Sequence, residues 1–259
     1  MNQCIRGVAL LSGLLLTLAC AADDSETSLG WSAGVETSRG DFGGDVDIED
    51  LYVPITFTVE GERIAVDLTV PYLSVRAPVG TTVIDPGGEP VPGSGERVTE
   101  SGLGDVVLAL TVYDVFYSPE RDLALDLSAG IKFGTADYDK ALGTGETDFT
   151  VIADLVKYLD NGLLIASAGY RFRGDPADYD LEDVAIASFG GTFSVSDKSN
   201  AGIFLDFRES SIAGEDAITE LSMFLSRRLA ENRALQFYLF KGFSDSTAEW
   251  GAGIIYRVM

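Results

Sequence analysis

The chain has 259 residues with 18 Lys and Arg against 41 Asp and Glu, and its formal charge of −23 at pH 7 repels nucleic acid. Hydrophobic residues make up 46% and aromatic residues 10%, more apolar surface than a disordered coil carries, so the chain folds. No histidine is present and both cysteines, Cys4 and Cys20, lie at the N-terminus, which excludes Ser-His-Asp and Cys-His catalysis, His-ligated metals and any disulfide framework in the body of the chain.

The first element is an address. Arg6 precedes the apolar runs Val8-Ala9-Leu10-Leu11 and Leu14-Leu15-Leu16-Thr17-Leu18, and Ala19-Cys20-Ala21-Ala22 closes the segment with small residues. Residues 1–22 read as a cleaved secretory signal peptide, too short for a comfortable membrane span, and 23–259 as one domain. A lipoprotein signal acylated at Cys20 is the rival reading, but Thr17 stands where such signals usually carry leucine.

From there on, period two dominates. Leu51, Val53, Ile55, Phe57 and Val59 are apolar, with Tyr52, Pro54, Thr56 and Thr58 between them. Leu123, Leu125, Leu127, Ala129, Ile131 and Phe133 interleave with Ala124, Asp126, Ser128, Gly130 and Lys132, a strand with one apolar and one small or polar face. The pattern recurs at 64–72, 106–112, 164–172, 201–207, 219–225 and 250–258, and more faintly at 31–35, 149–155, 185–193 and 235–239. This predicts an all-β fold: about twelve strands of roughly ten residues, the length that crosses a bilayer at a tilt, in a transmembrane antiparallel up-and-down barrel.

The connections alternate long and short, as in outer-membrane barrels with short periplasmic turns and long extracellular loops. Gly40-Asp47, Arg76-Ser101, Thr135-Glu146, Gly174-Asp183 and Glu209-Asp216 are long; Glu60-Glu62, Ser118-Asp122, Leu159-Gly162, Ser196-Asn200 and Ala230-Arg233 are short. Only the last, Ser244-Thr247, breaks the alternation, which places both termini in the periplasm. The stretch 76–101 is too long and too rich in Pro and Gly for an ordinary turn, and its Val79, Val83, Ile84, Val91 and Val98 favour shelter from water. It is either a constriction loop folded into the pore, with Val83 and Ile84 inside, or a mobile surface loop.

Three short motifs follow in order: Gly102-Leu103-Gly104-Asp105 before a strand, Gly130-Ile131-Lys132-Phe133-Gly134-Thr135 ending another, and Leu142-Gly143-Thr144-Gly145 before the next. With them the chain resembles the family of outer-membrane transporters named for the meta-pathway of phenol degradation. It departs from that family in lacking a proline beside Gly134, and its Tyr256-Arg257-Val258-Met259 end lacks the terminal aromatic residue usual in barrel-assembly signals. The resemblance implies a passive channel for small compounds, hydrophobic or aromatic ones among them.

On the face opposite the apolar one sit Asp67, Asp105, Asp126, Lys132, Asp148, Asp154, Lys157, Arg171, Arg173, Asp206, Arg208, Glu220, Glu249 and Arg257. In a barrel these either line a water-filled lumen or pair across it and fill it. Of these, Asp67, Asp126, Lys132, Asp154, Arg171, Arg173, Asp206, Arg208, Glu220 and Glu249 are the candidate lumen residues. Asp175, Asp178, Asp180 and Asp183, with Glu182, crowd one long loop; hard oxygen ligands suit calcium, but the spacing lacks the glycine and terminal glutamate of an EF-hand, and a solvated acidic loop is favoured. Trp31, Tyr52, Tyr72, Tyr113, Phe116, Tyr117, Tyr158, Tyr170, Phe172, Trp250 and Tyr256 fall towards strand ends, where aromatic girdles sit.

The expectation is a channel with no catalytic residue, no cofactor and no resident metal. Its partners are the bilayer with its lipopolysaccharide, a small-molecule solute and the barrel-assembly machinery. A closed structural or adhesion barrel is the alternative. An outer-membrane enzyme would need an unusual Ser-carboxylate arrangement.

Overall fold

A computed structural model describes residues 27–85, 88–91 and 93–259; the reading of 1–22 as a signal peptide lies outside the described residues. The strands in chain order are β1 (Ser28–Gly40), β2 (Ile48–Glu60), β3 (Ile64–Pro78), β4 (Thr82–Asp85), β5 (Gly88–Val91), β6 (Arg97–Leu103), β7 (Val106–Ser118), β8 (Leu123–Phe133), β9 (Asp148–Leu159), β10 (Gly162–Phe172), β11 (Val184–Ser196), β12 (Ser199–Arg208), β13 (Ile218–Ala230), β14 (Arg233–Gly242) and β15 (Trp250–Val258). Among the described residues the one helical element is a 3₁₀ turn, Tyr138–Lys140.

Two of these strands are pieces of one. Both β6 and β7 pair with β3, through Tyr72–Pro78 and Ile64–Thr69 respectively, and Gly104-Asp105 between them leave the ladder. Counted so, twelve antiparallel strands form a closed barrel. Each pairs with its neighbours in sequence, and β1 closes the ring by pairing with β2 on one side and β15 on the other, Trp31 opposite Val258 and Arg39 opposite Trp250. Closure leaves no wall edge unpaired. Strands β4 and β5 stand apart, a small hairpin paired only with itself.

The alternation in the sequence sets which way each residue faces. Leu127 is 41% exposed and its neighbour Ser128 6%. The outer face collects exposed apolar side chains on strand after strand, among them Phe57, Leu110, Leu155, Leu205 and Phe237, while polar groups turn inward. Register shifts occur beside two of the short turns, at Ser194/Ser196 and at Arg228/Ala230, and a larger bulge lies in β7. Val112 lies opposite Leu127 and Phe116 opposite Leu125, so residues 113–115 together face Asp126. Asp114 takes a positive φ of 50° there, and its N–H donates to Asp126 Oδ1 at 2.7 Å.

The connections alternate throughout. The last one, expected to be short, spans 243–249 because β14 ends at Gly242 and β15 begins only at Trp250; it is as long as the first, 41–47. The long stretch after β3 is shorter than the sequence suggested, 79–96, because β3 and β6 extend past their apolar alternation and pair as far as Pro78 with Arg97.

Candidate functional site

The three sequence motifs meet at one corner of the barrel. The carboxylate of Asp105, at the break between β6 and β7, accepts from the N–H groups of Thr135 and Ala136 at 3.0 and 2.8 Å and from Lys132 Nζ at 3.0 Å. Lys132 Nζ also donates to Thr144 Oγ1 at 2.7 Å, and Thr135 Oγ1 donates to the Gly104 carbonyl at 2.9 Å. The glycines are there for close approach: a β-carbon on Gly134 would lie 1.9 Å from the Gly145 carbonyl oxygen, and one on Gly104 2.2 Å from Leu73 Cδ1.

From this corner a chain of alternating charges runs across the interior. Lys132 stands 3.3 Å from Asp148 Oδ2, Arg173 Nη1 donates to that same oxygen at 3.0 Å, Arg173 Nη2 lies 3.4 Å from Glu89 Oε2, and Arg208 Nη1 reaches Glu89 Oε2 at 2.6 Å. The Glu89 and Arg173 side chains are fully buried. Charges this far from water persist only when paired and hydrogen-bonded, and here each carboxylate also accepts a backbone N–H, from Gly174 for Asp148 and from Ser211 for Glu89.

Glu89 belongs to the β4–β5 hairpin, so the long loop is folded inward. Val83 and Ile84 are 4% and 1% exposed, and Val83 joins a buried apolar cluster with Tyr52, Leu73, Val75, Leu142 and Ala248. The Glu89 N–H also donates to the Ser246 carbonyl at 3.0 Å, tying the hairpin to the last long loop.

Beyond the charged layer the lumen is lined by hydroxyls, carboxylates and aromatic rings. Ser188 and Ser222 donate to Asp206, Ser167 to Asp154, and Thr58 to Asp67; Thr247 donates to Glu220. Phe204, Phe224, Tyr238 and Phe240 point inward, each directly opposite a glycine on the next strand: Gly190, Gly202, Gly253 and Gly251. A β-carbon on any of these glycines would lie within 2.4 Å of the ring, so the rings cover the glycines and lie against the wall. Phe204, Phe224 and Tyr238 pack with Val156, Leu163, Ile165 and Ile255 in a second buried cluster.

The candidate lumen residues therefore distribute as follows. Lys132, Arg173 and Arg208 share the ionic chain; Arg171 is buried beside it, its Nε donating to Thr150 Oγ1 at 3.2 Å. Asp126, Asp154 and Asp206 are buried in the wall's inner face, Asp67 and Glu220 are half-buried there, and Glu249 is exposed in the loop before β15. Lys157 lies on the outer face near the β7–β8 turn, donating to the Arg121 carbonyl, because Val156 and Tyr158 take the inward positions beside it. Of the expected girdle, Trp31, Tyr72, Phe116, Tyr170, Phe172 and Trp250 are exposed outward, with Tyr256 edge-on to Trp31 at 5.9 Å, whereas Tyr52 and Tyr113 are buried inside, Tyr158 faces the inner cluster, and Tyr117, opposite inward Ala124, packs edge-on to Tyr158 at 6.3 Å and is exposed at the end of the barrel. Tyr52 alternates with outward Leu51 and Val53, and Tyr113 follows Ala109 and Thr111 on the inward parity of β7. Asp175, Asp178 and Asp183 accept separately from the Leu181 N–H, the Tyr138 hydroxyl and the Arg173 N–H, and no group of three acidic side chains among the described residues is placed to hold a metal. The sequence reading missed Glu89, whose only local signal was a lone acid between Gly88 and Pro90, as well as Glu36, Phe204 and Phe224.

A family profile described as "Putative MetA-pathway of phenol degradation" matches residues 29–255. The chain belongs to this family. No curated protein sequence matches it. Among solved structures, the COG4313 outer membrane channel from Pseudomonas putida F1 aligns with a TM-score of 0.71 at 15% identity, over 92% of this chain and 96% of that one. The NanC porin aligns with a TM-score of 0.57 at 8% identity, over 90% and 100%. The transport unit of the autotransporter AIDA-I from Escherichia coli gives 0.56 at 9%, over 93% and 92%. At these identities the likeness is one of architecture, and that architecture is the bacterial outer-membrane barrel.

Proposed function

We propose that the chain is a channel of the bacterial outer membrane for passive uptake of small compounds, hydrophobic and aromatic ones among them. The observation that carries the reading is a division of labour within the barrel: a wall that is complete by itself, apolar outside and polar or aromatic inside, and a mouth filled by a hairpin held mainly through side chains. Membership of a family named for phenol degradation supports the solute class. An N-terminal export signal, the barrel-assembly machinery, periplasmic termini and a lipopolysaccharide-bearing leaflet belong to the same reading, which assigns no catalytic residue, cofactor or metal. Lumen lining falls to Asp67, Asp126, Asp154, Arg171, Asp206 and Glu220, and constriction to the hairpin with Val83 and Ile84.

The packing of Val83, Ile84 and Glu89 in the mouth favours a second reading, a barrel that stays closed. The full chain in planar bilayers separates the two: as a channel it conducts, and liposomes carrying it swell with phenolic solutes, whereas an intact full-length barrel that does neither is structural. Replacing 80–95 by a short Gly-Ser closure tests the constriction, since loop length alone costs stability only logarithmically. The shortened protein is expected to conduct more than the full chain, and unchanged conductance from an intact barrel would remove the hairpin from the pore.

A further inference from the structure

We propose that Arg173, Arg208 and Ser211 form a binding site for the carboxylate of a solute, and that Glu89 occupies this site as a built-in ligand which the solute displaces. The identity of the ligand as a solute rests on the channel reading; the site itself rests on geometry. Glu89 Oε2 accepts from Arg208 Nη1 at 2.6 Å and from Ser211 Oγ at 2.9 Å and lies 3.4 Å from Arg173 Nη2, while Oε1 accepts from the Ser211 N–H. Two guanidinium groups, a hydroxyl and a backbone N–H, converging where the side chains are almost wholly buried, make a strong receptor for a planar anion.

Receptor and occupant belong to different parts of the molecule. All four donors come from the ends of β10 and β12 and the loop after β12, whereas the carboxylate comes from a hairpin that pairs with no wall strand. Taking Glu89 away leaves the receptor standing, with Arg173 still paired to Asp148 and Arg208 still within electrostatic reach of Glu220. One negative charge is then missing from a row in which charges otherwise alternate. A carboxylate arriving from the mouth replaces it, and the freed Glu89 is rehydrated with its hairpin. Further along the inner face of β12, four residues from Arg208, Phe204 begins the patch of inward rings, so the solute class that satisfies both features is an aromatic carboxylate.

The test is calorimetric titration of the purified barrel in detergent with benzoate, benzyl alcohol and inorganic phosphate. Binding to a site occupied most of the time by an internal competitor is weakened by the free fraction, so Glu89→Gln binds benzoate about tenfold or more tighter than the unchanged protein. Benzyl alcohol and phosphate bind that variant at least about tenfold more weakly than benzoate, and adding Arg208→Gln abolishes benzoate binding. The protein with 80–95 replaced by a Gly-Ser closure also lacks Glu89 and gives the same gain, which covers the case in which Glu89→Gln misfolds. Equal benzoate affinity with and without Glu89, or benzyl alcohol or phosphate binding as well as benzoate, overturns the proposal. If benzoate binds as expected but no form conducts, the channel reading falls and the site stands. If the shortened barrel conducts but binds no benzoate, the channel reading stands and the site falls.

Discussion

Tyr238 on β14 covers Gly253 on β15, and across that glycine its hydroxyl donates to Glu36 Oε2 on β1. Gly253 stands opposite Tyr238 on one side and opposite Glu36 on the other, so a single missing side chain lets two strands that do not pair with each other share a hydrogen bond. A β-carbon at 253 would lie 2.4 Å from the ring.

Gly253→Val therefore drives the Tyr238 ring into the lumen and breaks its bond to Glu36. The expected cost is about 1–3 kcal/mol, read from urea unfolding. Tyr238→Phe keeps the ring over the glycine and loses only the hydrogen bond, about 1 kcal/mol. A valine variant as stable as the parent would mean that the ring has room the structure denies it.

Leu127→Arg places a charge on the lipid face and costs about 2–4 kcal/mol near the bilayer midplane. Ser128→Arg on the inner face costs less, because Asp126 and Asp154 face the same lumen one position away across β8 and β9. Equal penalties at the two neighbours would contradict the assignment of faces.

Lys132 holds Asp105, Asp148 and Thr144 together. Lys132→Met leaves two buried carboxylates without it and is expected to destabilise by about 3–5 kcal/mol. Asp105→Asn keeps a hydrogen-bonding group in place and costs about 1–3 kcal/mol. If the two substitutions prove equivalent in unfolding experiments, the corner is held by hydrogen bonds and not by charge.

After cell fractionation the mature chain is expected with the outer membrane, and it should run faster on gels before boiling than after. Folded, detergent-free protein in the periplasm would end the barrel assignment in the cell.

The wall was legible in the sequence because a two-sided environment writes itself at period two: Leu123 to Phe133 needs no tertiary information to be read as a strand with one lipid face. The bulge at 113–115 was not, since nothing in Tyr113-Asp114-Val115 shows that three residues will face Asp126 alone. The family motifs were legible as glycine-rich punctuation, but that Lys132 bonds both Asp105 and Thr144 depends on the register of β7, β8 and the loop that follows. Glu249 reads as inward by parity, yet β15 begins one residue later and leaves it in solvent. Glu89 was hidden most deeply. A Pro- and Gly-rich segment carries no periodicity, and its partners are fixed by the closure of the barrel.

Glu89 meets Arg173, Arg208 and Ser211 across 84, 119 and 122 residues of chain, with one backbone bond to Ser246 further on. Contacts so distant in sequence come late, because the chain between them must be ordered first. The seat for the hairpin exists only once β10, β11 and β12 lie side by side. Seating of the hairpin therefore waits on the C-terminal half of the chain, and a change that delays the pairing of β10, β11 and β12 delays the filling of the mouth as well.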